Sequence, residues 1–235
     1  MEETYLTEVI TLNRQTFRED DLQATVYSRD RGKLFLIARG GKKAKSKLAA
    51  HLEPLCRTEI MVVRGWRYDY AGSAVSVDCH RQLKSDYDKI SAAMLSVKKI
   101  VQTVREGVPD DNLFMLLRDF LKELNTGVLN PALAAAFFSL KFLALSGFGP
   151  ELYHCVSDRK KIAPGGNRFD FVKSGIVCPH CRASAGSLPI TDDSIKIMRL
   201  VISEDFSQLK KVKISVKIDE EIIRLADFFY KHSIN

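Results

Sequence analysis

In Leu22-Gln-Ala-Thr-Val-Tyr-Ser-Arg-Asp-Arg-Gly-Lys-Leu-Phe-Leu-Ile-Ala-Arg39, apolar Leu22, Ala24 and Val26 alternate with Gln23, Thr25 and Tyr27. That two-residue period belongs to a half-buried strand. Arg29-Asp-Arg-Gly32 supplies turn residues, so Lys33 to Arg39 reads as the return strand of a hairpin. Tyr5 to Leu12, Glu59 to Arg64 and Arg67 to Asp78 carry comparable runs, which makes five short strands in the first eighty residues. Between the third and fourth, Ser46 to Leu55 reads as a short helix able to plug one end of a closed barrel. Five strands with a helix in that interval is the order of an OB-fold.

The period changes at Leu83. Leu83, Tyr87, Ile90, Met94, Val97, Val101 and Val104 recur at steps of four and three, one apolar face of a long helix that Gly107-Val-Pro109 ends. Asp110 or Asp111 then caps a second helix through Leu113, Leu117, Phe120 and Leu124. Asn130-Pro131 starts a third, apolar nearly all round and so suited to the centre of a bundle. From Gly147-Phe-Gly-Pro150 to about residue 185 no period persists, and Gly, Arg, Lys and Cys dominate. Helical patterns resume over Asp192 to Glu204 and Asp219 to His232. The expected class is α+β: a five-stranded OB-like barrel over 1–79, then an α-helical domain over 80–235 with an insertion at about 150–185.

With 235 residues and 46% hydrophobic content the chain can bury a sizeable core. Its net charge of +7 favours an anionic partner. The charge is uneven: no Asp or Glu occurs from Arg31 to Leu52, where Arg31, Lys33, Arg39, Lys42, Lys43, Lys45 and Lys47 all fall. The N-terminal Met-Glu-Glu-Thr-Tyr-Leu-Thr-Glu-Val lacks a signal-peptide pattern, and Pro131 to Gly147 is too short and carries Lys141, so neither secretion nor a membrane span is expected. The cytoplasm is the expected compartment.

Arg39-Gly-Gly-Lys-Lys-Ala-Lys-Ser-Lys47 puts five cations in nine residues, with two glycines that let a backbone approach closely. Neutralised phosphates release condensed counterions, so a nucleic-acid strand is the natural ligand, against the alternative of a solvated loop. Tyr27, Phe35, Trp66, Tyr68 and Tyr70 are candidates for base stacking, in competition with core packing. A nucleotide-binding P-loop is excluded: aligning Lys45-Ser46 with its Lys-Ser puts Ala44 and Arg39 where glycines are required.

Cys178-Pro-His-Cys181 has the spacing of a zinc knuckle, in which two thiolates take adjacent tetrahedral vertices. The best candidate for the matching half-site is Cys155-Val-Ser-Asp158, which makes Cys155, Asp158, Cys178 and Cys181 candidate ligands for one structural zinc, against the alternative of a metal-free remnant held by packing. Cys56 and Cys79 read as small buried apolar residues of a reducing compartment. Basic residues at Arg159, Lys160, Lys161, Arg168, Lys210 and Lys211 form a second group that could extend a nucleic-acid path or receive an acidic protein tail.

Several segments together resemble the RecO family of bacterial recombination mediators. They are Gly32-Lys33, Ala38-Arg-Gly-Gly-Lys-Lys-Ala-Lys-Ser-Lys-Leu48, His51-Leu-Glu-Pro-Leu55, Asn112-Leu-Phe-Met-Leu-Leu117, Leu145-Ser-Gly-Phe-Gly-Pro150 and Ser174-Gly-Ile-Val-Cys-Pro-His-Cys181. The resemblance implies an OB domain, a helical domain and a zinc-finger-like element set into the latter. It also implies a non-catalytic protein that binds single- and double-stranded DNA and anneals complementary strands. The implied partners are RecR and the C-terminal tail of single-stranded-DNA-binding protein, with RecA loaded indirectly. One departure stands out: the family's first half-site is Cys-x-x-Cys, and here it is Cys155-x-x-Asp158.

Two other binding functions suit a basic barrel: an RNA-binding or ribosome-associated module, and a protein adaptor without DNA activity. A zinc deaminase would pair His51-Leu-Glu53 with Cys178-Pro-His-Cys181, but the two fall in different predicted domains and Val177 replaces the proline that precedes the first cysteine in those enzymes.

Overall fold

The computed structural model describes residues 4–209, 211–212 and 214–234. Five strands, β1 (Thr4–Thr16), β2 (Leu22–Ser28), β3 (Gly32–Ala38), β4 (Arg57–Val63) and β5 (Asp69–Asp78), close a barrel in the order β1-β2-β3-β5-β4. All ladders are antiparallel except β3–β5, which pairs Leu36 with Asp69 and Ile37 with Tyr70 in parallel. The alternation seen in the sequence sets the inside: Val9, Ala24, Val26, Leu36, Ala38, Ile60, Val62 and Ala71 form the core. Helix α1 (Leu48–His51) lies in the β3–β4 interval, as predicted, and Leu48 and Leu52 close the core there. The ring Nδ1 of His51 is hydrogen-bonded to Ser76 Oγ at 2.7 Å, which fastens α1 to β5.

The predicted long helix is interrupted. Helix α2 (Arg81–Lys84) stops, and α3 (Tyr87–Thr103) restarts because the Asp86 carboxylate accepts the Lys89 N–H and caps a new N-terminus. Asp110, not Asp111, caps α4 (Asp111–Thr126), accepting from Asn112 and Leu113 N–H. Gly32 has φ +70°, and a Cβ there would lie 2.2 Å from Val108 O; glycine is what lets the α3–α4 connection close over the β2–β3 turn.

By packing, the chain divides into Met1–Asn125 and Thr126–Asn235, so α3 and α4 belong with the barrel and not with the later helices. A change of period marks where helices begin; it carries no information on what they pack against. In the second unit α5 (Pro131–Leu145) packs against α6 (Asp192–Ser203) and α8 (Val216–Ile234), with α7 (Phe206–Leu209) between them in sequence. Phe137, Phe138, Leu140, Phe142 and Leu143 of α5 are all buried, in line with its central position in the sequence reading. The insertion is a three-stranded sheet, β7-β6-β8, built from β6 (Arg168–Asp170), β7 (Gly175–Val177) and β8 (Leu188–Pro189). It seats Phe169 against Phe229 of α8, ring centroids 5.3 Å apart.

Cys56 and Cys79 correct the sequence reading. They are joined as a disulfide, not held apart as buried thiols. The β4–β5 register pairs Arg57 with Asp78, which brings the flanking cysteines together; only the register, invisible in the sequence, could show it.

Candidate nucleic-acid interface and metal centre

Three connections of the barrel meet. The β1–β2 turn, Phe17 to Asp21, is closed by Phe17 N–H donating to Asp21 O. It holds the basic segment: Lys42 N–H donates to Asp20 O at 2.9 Å, and Gly40 N–H donates to an Asp21 carboxylate oxygen at 2.8 Å. Lys43 N–H to Gly40 O and Ser46 N–H to Lys43 O then fold the segment into successive turns. The sequence reading of an acid-free basic segment is sharpened here, because acidic residues from the neighbouring turn brace it. Lys43 Nζ lies 3.1 Å from Asp20, an exposed pair of small energetic value.

The third connection is the β4–β5 hairpin, Arg64-Gly-Trp-Arg-Tyr68. Tyr68 meets the Phe17 ring edge-on at 5.2 Å, with the Arg67 guanidinium over Tyr68 and the Arg18 guanidinium over Phe17. Arg39, the first cation of the basic segment, lies 4.2 Å from the centroid of Tyr70. On the hairpin's other side, Arg31 and Arg64 both stand over Tyr5. The face is thus a set of arginine–aromatic pairs joined to an exposed lysine loop, in which Arg31, Arg39, Lys42, Lys43, Lys45 and Lys47 are all exposed.

Lys33 does not belong to it. Only 9% exposed, it donates from Nζ to Val101 O at 3.0 Å and so caps the C-terminal end of α3. The acid-free charge run grouped it with the basic segment in the sequence but could not reveal its bond to the end of α3. Tyr27 is also removed from the stacking candidates: it is buried, with its hydroxyl directed to Asp110 O in the α3–α4 connection, and burial pushes that hydroxyl up to about 12. Phe35 faces outward at 38% exposure. Phe17, Arg18, Arg64 and Arg67 were missed by sequence reasoning; two arginines bracketing the single tryptophan in a turn were the available signal.

The predicted metal ligands converge in the insertion. One donor atom from each of Cys155, Asp158, Cys178 and Cys181 lies within 4.8 Å of all the others. Bonds of about 2.3 Å to a central zinc separate tetrahedral thiolates by about 3.8 Å, so the cluster has the required size. Two tight turns build it: Arg159 N–H donates to Cys155 O, with Arg159 at φ +63°, and Cys181 N–H donates to Cys178 O. The N–H groups of Cys178 and Ser157 point at Cys155 Sγ. Burial is the largest influence on that thiol and raises it, yet the N–H donors of Cys178, Asp158 and Ser157 outweigh burial and leave it below its ordinary value. Asp158 is lowered by the Lys160 N–H and by Cys155. Cys181 is pushed up to about 12, first by its hydrogen bond to Cys178 and then by burial. Three thiol sulfurs and one carboxylate, with no further donor required, suit a closed structural zinc site. Asp170, fully buried, accepts N–H bonds from Val172 and Lys173, between the half-sites, and from Ser184, just after the second, and so ties the two stretches together. No sequence pattern marks that role. In the second basic group Arg168 is occupied by Ser187, and Lys210 lies outside the described residues.

Comparison with known proteins decides the family. The model of the recombination protein O N-terminal region matches residues 1–74, and that of the recombination protein O C-terminal region matches residues 84–235. The chain belongs to the RecO family. The DNA repair protein RecO of Dehalococcoides mccartyi (strain CBDB1) is 27% identical over 218 residues, covering 93% of this chain and 86% of the relative. That of Thermoanaerobacter sp. (strain X514) is 24% identical over 229 residues, covering 97% and 92%, and that of Desulforamulus reducens is 28% identical over 222 residues, covering 94% and 86%. RecO membership places the chain in DNA repair and recombination. Among the described residues no helix is long and apolar enough to cross a membrane.

Proposed function

We propose that this RecO-family protein is a non-catalytic recombination mediator that holds single-stranded DNA on the barrel face formed by the β1–β2 turn, the 39–47 segment and the β4–β5 hairpin. The observation that carries the reading is the convergence of Arg39, Lys42, Lys45 and Lys47 with arginine–aromatic pairs on one braced surface. Lysines on a loop and rings on strands match the two needs of a single strand, charge along the backbone and flat apolar faces for bases. Arg31 extends the path beside Tyr5 and Arg64. Lys43, half-committed to Asp20, contributes less, and Lys33 is left out.

A strand held extended by its phosphates leaves its bases open to a complementary strand, so annealing needs no chemical step. Double-stranded DNA would meet the same cations. Cooperation with RecR, engagement of the tail of single-stranded-DNA-binding protein and the loading of RecA are the family roles that this annealing reading serves. The knuckle would hold one zinc ion through Cys155, Asp158, Cys178 and Cys181, with Asp158 in place of a fourth thiolate. When bound, zinc supplies structural ligation, and no open coordination position follows from four protein donors.

The reading is tested by strand annealing with complementary DNA oligonucleotides. The purified protein should accelerate pairing at low salt. No acceleration together with preferential binding of structured RNA would favour the RNA-binding alternative, and no binding of either nucleic acid would favour a protein adaptor.

A further inference from the structure

Trp66 has no packing role on the barrel. At 102% of its reference exposure it is the most exposed of the large hydrophobic side chains among the described residues, while Phe17 and Tyr68 nearby are half-buried against each other. An indole offers more apolar area than any other side chain, and leaving all of it in water forgoes stabilisation that a core position would supply. Its backbone, in contrast, is held firmly. A Cβ on Gly65 would lie 2.4 Å from Tyr68 O and 2.9 Å from the Tyr70 ring, so the hairpin folds tightly back on β5. Arg64 and Arg67, on either side, reach the Tyr5 and Tyr68 rings. The hairpin therefore presents one flat apolar ring, between two cations, from an anchored turn.

We propose that Trp66 is the base-stacking residue of this face, taking an unpaired nucleobase onto its ring while the flanking arginines and the 39–47 segment hold the adjoining phosphates. The inference rests on the reading of the face as a single-strand interface and adds what touches the bases. Charge complementarity selects the occupant: a ring carried between Arg64 and Arg67, on a face where Arg31 and Arg39 also stand over tyrosines, suits a flat ligand whose linkers are anionic. Continuity supports it, because Arg39 over Tyr70 joins the hairpin to the lysine loop. Every base has a π-face, so stacking on Trp66 is indifferent to sequence, and a protein that must handle any strand needs that property.

Trp66 is the chain's single tryptophan, so fluorescence excited at the red edge of the indole band, where the seven tyrosines do not absorb, reports on this ring alone. The full-length protein is titrated at low salt with an oligothymidylate and with an abasic phosphodiester of equal length. Saturable quenching by the first and none by the second is expected. Trp66→Ala should weaken oligothymidylate binding about ten- to a hundredfold, leave abasic binding and the salt slope unchanged, and be largely rescued by Trp66→Phe. Because the side chain is fully exposed, the variant should unfold at the wild-type temperature, which is checked in parallel. Oligothymidylate binding without quenching, or with wild-type affinity in Trp66→Ala, would overturn the stacking role and leave the DNA-binding face standing. Failure of the wild type to bind either oligomer would overturn the face and the stacking role together. A fluorescence change with anionic phospholipid vesicles but not with DNA would assign the ring to a membrane surface and overturn the proposal.

Discussion

The barrel strands run from seven to thirteen residues and enclose a continuous apolar core, whereas the three strands of the insertion have three, three and two residues. A closed barrel abolishes exposed edges and buries enough surface to hold its loops in place. The insertion buries a smaller apolar set, Leu152, Phe169, Phe171, Ile176 and Val177, with Phe169 and Phe171 packed on α8. It concentrates four side chains able to ligate a metal where the barrel concentrates hydrocarbon. The two regions teach that the loops proposed to hold DNA are positioned by a hydrophobic core, while the knuckle, on the zinc reading proposed above, is held by ligation, so each should fail without the other.

The largest effect is expected at the knuckle. In small zinc domains metal binding drives folding by about 10 kcal/mol or more, so Cys178→Ser should abolish zinc retention and local order over about 150–189. Elemental analysis of protein purified without chelator, with hydrogen exchange across the insertion, checks this. Oligonucleotide affinity should be unchanged. A wild-type zinc content below about one-tenth of an equivalent would place the knuckle among sites held by packing alone.

Next comes the barrel's own cross-link. The Cys56–Cys79 bridge spans 23 residues, and closing a loop of that size stabilises by about 3 kcal/mol in the chain-entropy account. The double variant Cys56→Ser, Cys79→Ser should lower barrel stability by about that much in denaturant titration without loss of zinc. A smaller effect, about 1–3 kcal/mol, is expected of Gly65→Ala, which forces the hairpin away from Tyr68 and Tyr70. Here oligonucleotide affinity should fall along with stability, because the hairpin is part of the proposed interface.

The smallest effect is in pH. His80 is buried, and burial pulls its imidazole below the usual value despite the Leu55 carbonyl and Asp78, with Arg57 and Lys84 adding to the depression. A group whose neutral form is favoured in the folded state contributes fully above its unfolded value of about 6.5 and loses that contribution as pH falls toward the folded value. The wild type should therefore lose a little stability below about pH 6.5, and His80→Gln should lose less across the same window. Equal pH profiles would show that His80 titrates as if exposed.

The barrel was legible because strand alternation, turn residues and the helix interval are local properties, seen in Leu22 to Arg39 and Ser46 to Leu55. The convergence of Cys155, Asp158, Cys178 and Cys181 was legible because chemistry fixes the spacing of a knuckle, even with Asp158 in one corner. What escaped depends on distant residues meeting. The pairing of Cys56 with Cys79 follows from the β4–β5 register, the burial of Lys33 from the position of α3, and the joining of Phe17 to Tyr68 from barrel closure. The early stop of α2 turned on whether Asp86 faced its own backbone, a choice that helical periodicity does not contain.

The central claim is that the 39–47 segment supplies the phosphate contacts. The most direct test is the salt dependence of single-strand affinity in the wild type and in Lys42→Ala, Lys45→Ala, Lys47→Ala. With about 0.7 per neutralised phosphate, engagement of the segment's five cations predicts a slope of log affinity against log salt of about −3 to −4, and the triple variant should be flatter by about 2. A slope unchanged by the three substitutions would contradict the claim and move the DNA path elsewhere on the molecule.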